Sequence, residues 1–264
     1  MHAHPTSPPG IRRPARHSPG LAALLGAAVL AGVAGCADLR AVDSARTDQR
    51  TFPLDGSALG IDGRGTDLRL VVGTGPGVEV RRSLTGKATL PGNADWELTG
   101  DTLRLAVTCS GFVPDCGGSH VVGVPAGTSV RVESQDGSVR AVGLTGDLTA
   151  RVRHGWLRVE RPAGVLRLTA ELAVEVSEAR STDVTASSSG RDVRLSFAVA
   201  PRRVSATAEG GSVDVALPAG PETYRIRAEG RDRVAGSELT SDPASERVVE
   251  AVADNGRARV RTGK

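Results

Sequence analysis

The sequence predicts an all-β protein, built as a solenoid-like stack of short strand-turn-strand repeats. Short runs of alternating apolar and polar residues, glycines at near-regular intervals and the lack of an amphipathic helical stripe after residue 50 all indicate this class. An antiparallel β-sandwich of hairpins is the alternative, because short turn signals are also typical of hairpins. The regular period favours the stack.

The chain begins with a segment that is typical of secretion. An apolar core of 13 residues, Leu21 to Val33, follows three arginines, whereas a membrane-spanning helix needs about 20 residues. Small residues then lead to Cys36 in a pattern that resembles the lipobox of bacterial lipoproteins. Residues 1–35 are therefore predicted to be a lipoprotein signal peptide. The alternative is an ordinary signal peptide with an incidental Cys36.

In the lipoprotein pattern, the Cys36 thiol receives a diacylglyceryl group and becomes the new N-terminus. Two acyl chains such as palmitate anchor a protein stably, because each buried methylene contributes about 0.8 kcal/mol. Residues 36–50 are polar and lack periodicity, so they are predicted to be the lipidated cysteine and a flexible tether. We therefore predict an extracytoplasmic protein of the cell envelope that is attached to the membrane through lipid on Cys36.

The charge balance argues against nucleic acid as a partner. The formal net charge of +3 includes three arginines from residues 1–35, which hold no acidic residue, so 30 basic and 30 acidic residues remain in the rest of the chain. A nucleic-acid-binding domain normally carries a basic excess. The predicted partner is instead an unidentified envelope or surface protein or glycan.

Two further cysteines, Cys109 and Cys116, lie in residues 51–123, which we interpret as an N-terminal β region. An even pair in an oxidising compartment predicts a disulfide. The alternative is a metal site that also uses His120. The six intervening residues do not match zinc spacings and a fourth ligand is not evident, so we predict no bound metal and no cofactor.

Residues 124–264 are predicted to be a β-strand repeat domain. Four turn glycines mark its units: Gly137, Gly155, Gly190 and Gly211. They are separated by 18, 35 and 21 residues, and the interval of 35 holds two units, with the turn glycine replaced near Glu171. We expect these glycines to supply a positive φ and each coil to stack on the one before. The stretch after Tyr224 is expected to cap the exposed end.

Alternation also assigns side chains to faces of the strands. Valines and leucines are expected to face inward, and polar residues of the opposite parity to face water. The outward set in the first repeats is Arg131, Glu133, Arg140, Thr149, Arg151, Arg153 and Arg158. Trp156 shares this outward parity, which makes it a candidate surface contact. The alternative is that Trp156 packs over the edge of the repeat.

The turns resemble those of a family of bacterial envelope proteins called putative adhesins, whose β-strand-repeat domain has no assigned biochemical function. Three segments correspond to the turn of that family: Asp136–Val139, Ser188–Val193 and Gly210–Val213. The resemblance covers about residues 60–264. It implies a non-catalytic β-repeat module and transfers no active-site residues.

The sequence holds no recognisable catalytic motif. It lacks a nucleophile elbow and a phosphate-binding loop. Asp62–Asp67 resembles half of a calcium-binding glycine–aspartate repeat, but it has no tandem copy, so we interpret it as a turn before a strand. His154 is interpreted as a solvent-facing turn histidine.

The predicted function is that of a non-enzymatic, lipid-anchored envelope protein that acts as an adhesin-like binding or structural module. Two alternatives remain open. The first is an envelope carbohydrate-active hydrolase that uses carboxylates in a groove, as some β-helical hydrolases do. The second is a lipoprotein that senses a small ligand or stress, for which a deep apolar pocket would be expected.

Overall fold

The computed structural model describes residues 45–111, 115–231, 236–237 and 239–263. The predicted signal peptide, Cys36 and residues 37–44 of the predicted tether lie outside the described residues. Among the residues that are described, no helix is both long and apolar enough to cross a membrane.

The described chain forms 21 strands and a short 3-10 helix at Lys87–Thr89. The strands are β1 (Ala45–Phe52), β2 (Ala58–Arg64), β3 (Asp67–Val72), β4 (Val78–Gly86), β5 (Ala94–Thr99), β6 (Thr102–Val107), β7 (Cys116–Val124), β8 (Ser129–Gln135), β9 (Val139–Val142), β10 (Leu148–Arg153), β11 (Leu157–Glu160), β12 (Leu166–Ala170), β13 (Val174–Ala179), β14 (Asp183–Ser188), β15 (Val193–Phe197), β16 (Arg203–Ala208), β17 (Val213–Leu217), β18 (Arg225–Gly230), β19 (Gly236–Ser237), β20 (Val248–Ala253) and β21 (Ala258–Thr262).

These strands belong to two sheets. Sheet A has 11 strands in the order β1-β4-β7-β3-β9-β11-β13-β15-β17-β21-β19, and sheet B has ten in the order β18-β20-β16-β14-β12-β10-β8-β2-β6-β5. From β8 to β17 successive strands alternate between the sheets, so each coil of the chain gives one strand to each sheet. Neighbouring coils pair in parallel and in register, as Leu148 does with Val130 and with Leu166.

The all-β class is confirmed, and the parallel register establishes the stack rather than the hairpin sandwich. Antiparallel pairing among the described strands joins only β1 with β4, β4 with β7 and β5 with β6. These pairs all lie at one end of the stack. They cover the end of the parallel ladder, where unpaired backbone groups would otherwise be available to another chain.

The core consists of columns of apolar side chains that run through the stack. Because side chains alternate between the faces of a strand, every second residue points between the sheets. Two columns of sheet B are Val130–Leu148–Leu166–Val184–Val204–Val249 and Val132–Ala150–Leu168–Ala186–Ala206–Ala251, and two of sheet A are Val139–Leu157–Val174–Val193–Val213–Ala258 and Ala141–Val159–Val176–Leu195–Val215–Val260. All of these residues are buried. Removing apolar surface from water in this way stabilises the stack by roughly 25 cal/mol per Å².

The order of coils in the stack differs from their order in the chain at both ends. Strands β2 and β3 lie beside β8 and β9, and β6 and β7 lie outside them. At the other end, β20 and β21 lie between the β16–β17 coil and the β18–β19 coil. The prediction that each coil stacks on the one before is therefore correct only from β8 to β17.

The expectation that the whole stretch after Tyr224 caps the stack is also wrong, because β20 and β21 lie within the stack. Val249 and Ala251 of β20 are fully buried and need a coil on both sides. Ile226 and Ala228 of β18 are only partly buried, so β18 is the strand that tolerates the edge of sheet B.

The turn glycines serve a different purpose from the predicted one. None of the four has a positive φ; at two of these turns the positive φ belongs to the preceding residue, Asp136 at 57° and His154 at 55°. A Cβ atom on Gly155 would lie 2.5 Å from the carbonyl oxygen of Gly137 in the adjacent coil, and one on Gly190 would lie 2.5 Å from that of Glu171. Glycine is needed because stacked turns approach too closely to hold a side chain.

Both sheets continue across the predicted boundary at residue 124, since β2 pairs with β8 and β3 pairs with β9. The predicted tether also ends earlier than residue 50, because Ala45–Phe52 forms strand β1. This strand pairs with β4 over its whole length, and Phe52 at its end is buried in the core.

Candidate functional site

An open groove of about 590 Å³ crosses the outer face of sheet B. The charged side chains that line it are Asp62 and Arg64 of β2, Arg131 and Glu133 of β8, and Arg151 and Arg153 of β10. Parallel, in-register pairing brings these residues together, because equivalent positions of successive coils lie about 4.8 Å apart on one face. The groove is thus a direct consequence of the stacked architecture.

The floor of the groove contains a residue without a side chain. Gly60 lies in register between Thr102 of β6 and Arg131 of β8, and all three face outward. A Cβ atom at Gly60 would lie 3.1 Å from the Thr102 hydroxyl oxygen and 3.6 Å from the Cα and Cβ atoms of Thr102. The missing side chain lowers the surface between two occupied positions, which makes the sheet face concave at this point.

The groove holds arginines and carboxylates together, since Glu133 is in register beside Arg151, and Glu171 and Glu209 line its continuation with Arg153. Arg151 and Arg153 are exposed, and the side chain of neither makes a hydrogen bond or ion pair within the described residues. Arg167 of β12, which is in register with Thr149 of β10, has the same exposure and the same lack of a described partner. Arg131 bonds to Glu133 of its own strand at 3.1 Å.

The groove continues along the stack into a second depression of about 250 Å³, which shares Arg151 and Arg153 with the first. Hydroxyl groups of Thr169 and Ser187 line this depression together with the carboxylates of Glu171 and Glu209. The hydroxyl of Ser187 on β14 donates to Thr169 Oγ1 on β12 at 3.2 Å. The line from β2 through β8, β10 and β12 to β14 covers four strand spacings, or about 19 Å.

Two carboxylates lie side by side in the groove, because Asp62 and Glu133 are in register on adjacent strands. Asp62 Oδ2 lies 3.3 Å from Arg64 Nη2 and 3.9 Å from Arg104 Nε, and Glu133 pairs with Arg131. Their side chains are 28% and 43% exposed. A catalytic general acid normally occupies a shielded site that keeps its proton, and these ion-paired, solvent-exposed groups lack that shielding.

The outer face of sheet A shows the opposite use of arginine. In its central coils, Arg140 pairs with Glu160 and Arg158 with Glu175, both at 2.7 Å. Arg261 pairs with Asp214 at 2.9 Å, and Arg194 pairs with Asp192. These arginines already have carboxylate partners in the folded chain.

Trp156 lies on the sheet A side of the stack, away from the groove. It is 41% exposed, as its outward parity predicted, and the Arg158 guanidinium lies 5.5 Å from its ring centre. The tryptophan therefore packs against an arginine that is itself ion-paired. Its role as a surface contact remains a prediction.

A buried polar cluster lies inside the end of the stack that holds the antiparallel strands. Arg82 of β4 points inward, bonds to Asp48 of β1 at 3.0 Å and lies 4.2 Å above the ring centre of Trp96. Burial raises the pKa of the Asp48 carboxyl, but hydrogen bonds from Arg82 and Arg46 outweigh that effect and leave the pKa below its usual value. This ion pair anchors the edge strand β1 to the stack.

His120 belongs to the same cluster and is 1% exposed. It is directly opposite Arg82 in the pairing of β4 with β7, and its Nδ1 atom shares a hydrogen bond of 2.8 Å with the Thr66 hydroxyl. Its Nε2 atom is buried without a partner in the described chain. Burial, with a smaller contribution from the charge of Arg82, lowers the pKa of His120 to about 4.

The predicted disulfide is confirmed. Cys109 and Cys116 are bonded, with their Cα atoms 6.4 Å apart. The alternative metal site fails because both sulfurs are in the disulfide and His120 points into the core. Within the described ranges, no group of three histidine, cysteine or acidic side chains is arranged to hold a metal ion.

His154 is a solvent-exposed turn residue, as predicted, and its Nδ1 atom lies 2.8 Å from Asp136 Oδ1. Glu171, which stands near the place of the missing turn glycine, accepts a hydrogen bond of 2.9 Å from the His154 backbone N–H. A side-chain bond between coils thus stabilises the irregular turn.

Sequence reasoning placed the groove arginines on the outside of their strands but did not identify the groove. The prediction that Asp62 and Arg64 lie in a turn is wrong, because both belong to β2. Their strand had to be placed beside β8, whose in-register residues come 71 positions later in the chain, before the groove could be recognised. A signal was present in the Thr-x-Arg-x-Arg run at Thr149–Arg153, which carries two cations and no acid.

No protein-family model matches this sequence, and no curated protein matches it either. Among solved structures, a putative adhesin from Parabacteroides distasonis covers 84% of this chain and 98% of its own, with a TM-score of 0.49 and 11% identity. A putative adhesin from Bacteroides fragilis covers 83% and 97% (TM-score 0.46, 12% identity). A putative cell adhesion protein from Clostridium sporogenes covers 83% and 100% (TM-score 0.42, 9% identity).

The names of these neighbours match the family that the turn motifs resemble. At identities near 10% and TM-scores below 0.5, however, the likeness assigns neither a function nor site residues to this chain.

Proposed function

We propose that this chain is a non-enzymatic, lipid-anchored binding module of the cell envelope, adhesin-like in role, that holds its partner in the groove of sheet B. One observation carries the proposal: Arg151 and Arg153 stand unpaired in an open groove while the arginines of central sheet A are ion-paired. Solvated cations without an internal partner remain available to a ligand. A face of stacked repeats is also a typical extended binding surface.

The proposed location rests on the signal pattern before Cys36 and on the disulfide, which is favoured outside the reducing cytoplasm. We expect the Cys36→Ser variant to leave membrane fractions and appear in soluble fractions, because it cannot carry the lipid. The measurement is fractionation followed by immunoblotting. Persistent membrane association of the variant would contradict lipid anchoring.

The proposed binding surface is tested with two charge-reversal variants of the mature chain, assayed on isolated envelope and whole cells. Arg151→Glu/Arg153→Glu changes the groove, and Arg69→Glu/Arg81→Glu changes two exposed arginines of sheet A as a matched control. We expect the groove variant to bind at least about tenfold more weakly, since repulsion replaces attraction at two contacts. Equal binding by both variants would rule out the groove as the binding surface.

A second candidate function is polysaccharide hydrolysis, because Asp62 and Glu133 are neighbours in the groove. The Asp62→Asn/Glu133→Gln variant separates the two functions. A binding module should keep or gain affinity for an anionic ligand when two negative charges are removed, whereas a hydrolase should lose turnover. Release of reducing ends by the wild type but not by this variant would establish the hydrolase.

A further inference from the structure

We propose that the groove binds a linear, polyhydroxylated polymer that carries anionic groups at regular intervals, such as a polyol phosphate or a polyuronate. This inference rests on the proposed function and adds the chemical class of the ligand. Three features support it: the number and spacing of the guanidinium groups, the length of the groove and the chemistry of the other side chains that line it.

The cationic groups come from three successive coils of sheet B. Arg131 of β8, which is ion-paired with Glu133, and Arg151 and Arg153 of β10 line the groove. Arg167 of β12 lies on the same outer face, outside the residues that line the two depressions. Arg151 and Arg153 are two residues apart on one strand, so their Cα atoms are separated by about 6.6 Å. Arg131 and Arg167 are two strands apart, so their Cα atoms are separated by about 9.6 Å. Each planar guanidinium can bind a phosphate or carboxylate through two parallel hydrogen bonds. The set therefore fits several anionic groups rather than one.

The length of the groove favours an extended ligand. A single small anion would occupy one pair of arginines and leave the rest of the groove unused. The two depressions share Arg151 and Arg153 and together cover about 19 Å of the sheet face. Gly60 lowers the floor of the groove at one end. A polymer chain lying across the strands would therefore be bound by the shape of the groove as well as by its charges.

The uncharged groups of the groove favour a ligand rich in hydroxyls. Thr169 and Ser187 line the second depression, and a hydroxyl can both donate and accept a hydrogen bond. Such groups complement the hydroxyls of a polyol or sugar. None of the described residues that line either depression is aromatic, so the groove lacks the stacking platform typical of sites for nucleobases.

The experiment measures binding of the full mature chain to poly(glycerol phosphate) and to polygalacturonate, with dextran of similar length as the neutral polymer. We expect binding to at least one of the two anionic polymers and not to dextran, with affinity that falls as salt rises. The Arg151→Ser/Arg153→Ser variant should bind at least about tenfold more weakly. Its salt dependence, as the slope of log affinity against log salt, should be smaller by about 1–2.

Two controls address charge and shape separately. Arg69→Ser/Arg81→Ser removes the same charge from sheet A and should bind like the wild type. Gly60→Val fills the floor without changing any charge and should also weaken binding. If Gly60→Val, verified as folded by thermal unfolding, binds normally, the groove is not the site and the attraction is that of surface charge alone.

The remaining outcomes separate this inference from the proposed function. Envelope binding that depends on Arg151 and Arg153, without binding to either anionic polymer, would overturn the ligand class and leave the binding module intact. Equal binding to dextran, or binding only to single-stranded DNA or to phosphatidylglycerol vesicles, would overturn it as well. Preference for one of the two anionic polymers identifies the phosphate or the carboxylate as the recognised group.

Discussion

The two outer faces of the stack share a backbone geometry and differ in how their charges are balanced. On sheet A, Arg140 and Arg158 each reach a carboxylate on an adjacent strand at 2.7 Å. On sheet B, the same coils carry Arg151, Arg153 and Arg167, none of which forms an ion pair in the described chain, although Glu133 is in register beside Arg151. These central arginines of sheet A therefore have carboxylate partners, whereas Arg151 and Arg153 of sheet B form no ion pair in the described chain.

This difference shows how a repeat protein can combine stability and binding. Like charges stacked about 4.8 Å apart repel one another, and opposite charges on adjacent strands relieve that repulsion. Sheet A relieves the repulsion through pairs such as Arg158 with Glu175, although Arg69, Arg140 and Arg158 are in register as one row of like charge. Sheet B also carries such pairs, as between Arg227 and Glu250. In its central coils, however, Arg131 and Arg167 flank Thr149 in one row, so a hydroxyl side chain separates these like charges. We interpret the lack of an ion pair at Arg151 and Arg153 as functional, since a carboxylate bonded to them would compete with an anionic ligand.

The largest expected effect is on the pH dependence of the free energy of unfolding. It sets the pH range in which the two outer faces can be compared on the folded protein. Burial lowers the pKa of His120 from 6.5 to about 4. Between these pH values the His120 ring is therefore protonated in the unfolded chain and neutral in the folded chain. This contribution to the free energy of unfolding is fully present above pH 6.5 and declines as the pH falls to 4, by about 3 kcal/mol in total. Urea unfolding at pH 7, 5.5 and 4 measures this decline.

The groove arginines keep their charge throughout this range, so binding that is lost on acidification should follow unfolding. In a His120→Phe variant the part of the decline between pH 6.5 and 4 that depends on this ring should disappear, whatever its stability at neutral pH. An unchanged pH profile in that variant would show that other groups, such as Asp48, cause the acid sensitivity.

The next largest effect is the loss of stability expected when a turn glycine is replaced. Close approach of the stacked turns sets the spacing of the strands on both faces. Gly155→Ala should lower the free energy of unfolding by about 2 kcal/mol, because the new methyl group would contact the Gly137 carbonyl oxygen. Gly60→Ala is the matched control. Its methyl group faces solvent beside a movable Thr102 side chain, so a change within about 1 kcal/mol is expected. Equal losses in both variants would contradict close approach as the reason for the turn glycine.

The sequence predicted the strands of the central coils well, because a period of two with valine and leucine inward needs no long-range information. Phe197 illustrates this, since its parity alone places it in the core. The turn at Gly137 was located correctly but for the wrong physical reason. Its glycine reflects contact with Thr66 of a neighbouring coil, and local sequence cannot reveal such a contact.

The groove could not be predicted because it depends on the order in which coils stack. Asp62 and Gly60 come before the β4–β7 segment in the chain, yet β2 pairs directly with β8. The alternation of apolar and polar residues predicts which face of the sheet a residue occupies. It does not predict which strand lies beside it. His120 was missed for a similar reason: its partner Thr66 is 54 residues away, and a histidine near a disulfide carries no sign of burial.

The smallest expected effect tests the comparison between the faces directly. A double-mutant cycle on Arg158 and Glu175, whose side chains are 44% and 43% exposed, should give a coupling free energy of about 0.5 kcal/mol that decreases with added salt. Arg151→Ser on sheet B should change the free energy of unfolding by less than about 0.5 kcal/mol, because it breaks no described contact. If Arg151→Ser instead destabilised the protein by 1 kcal/mol or more, Arg151 would have a structural role, and the claim that sheet B keeps its cations for a ligand would fail.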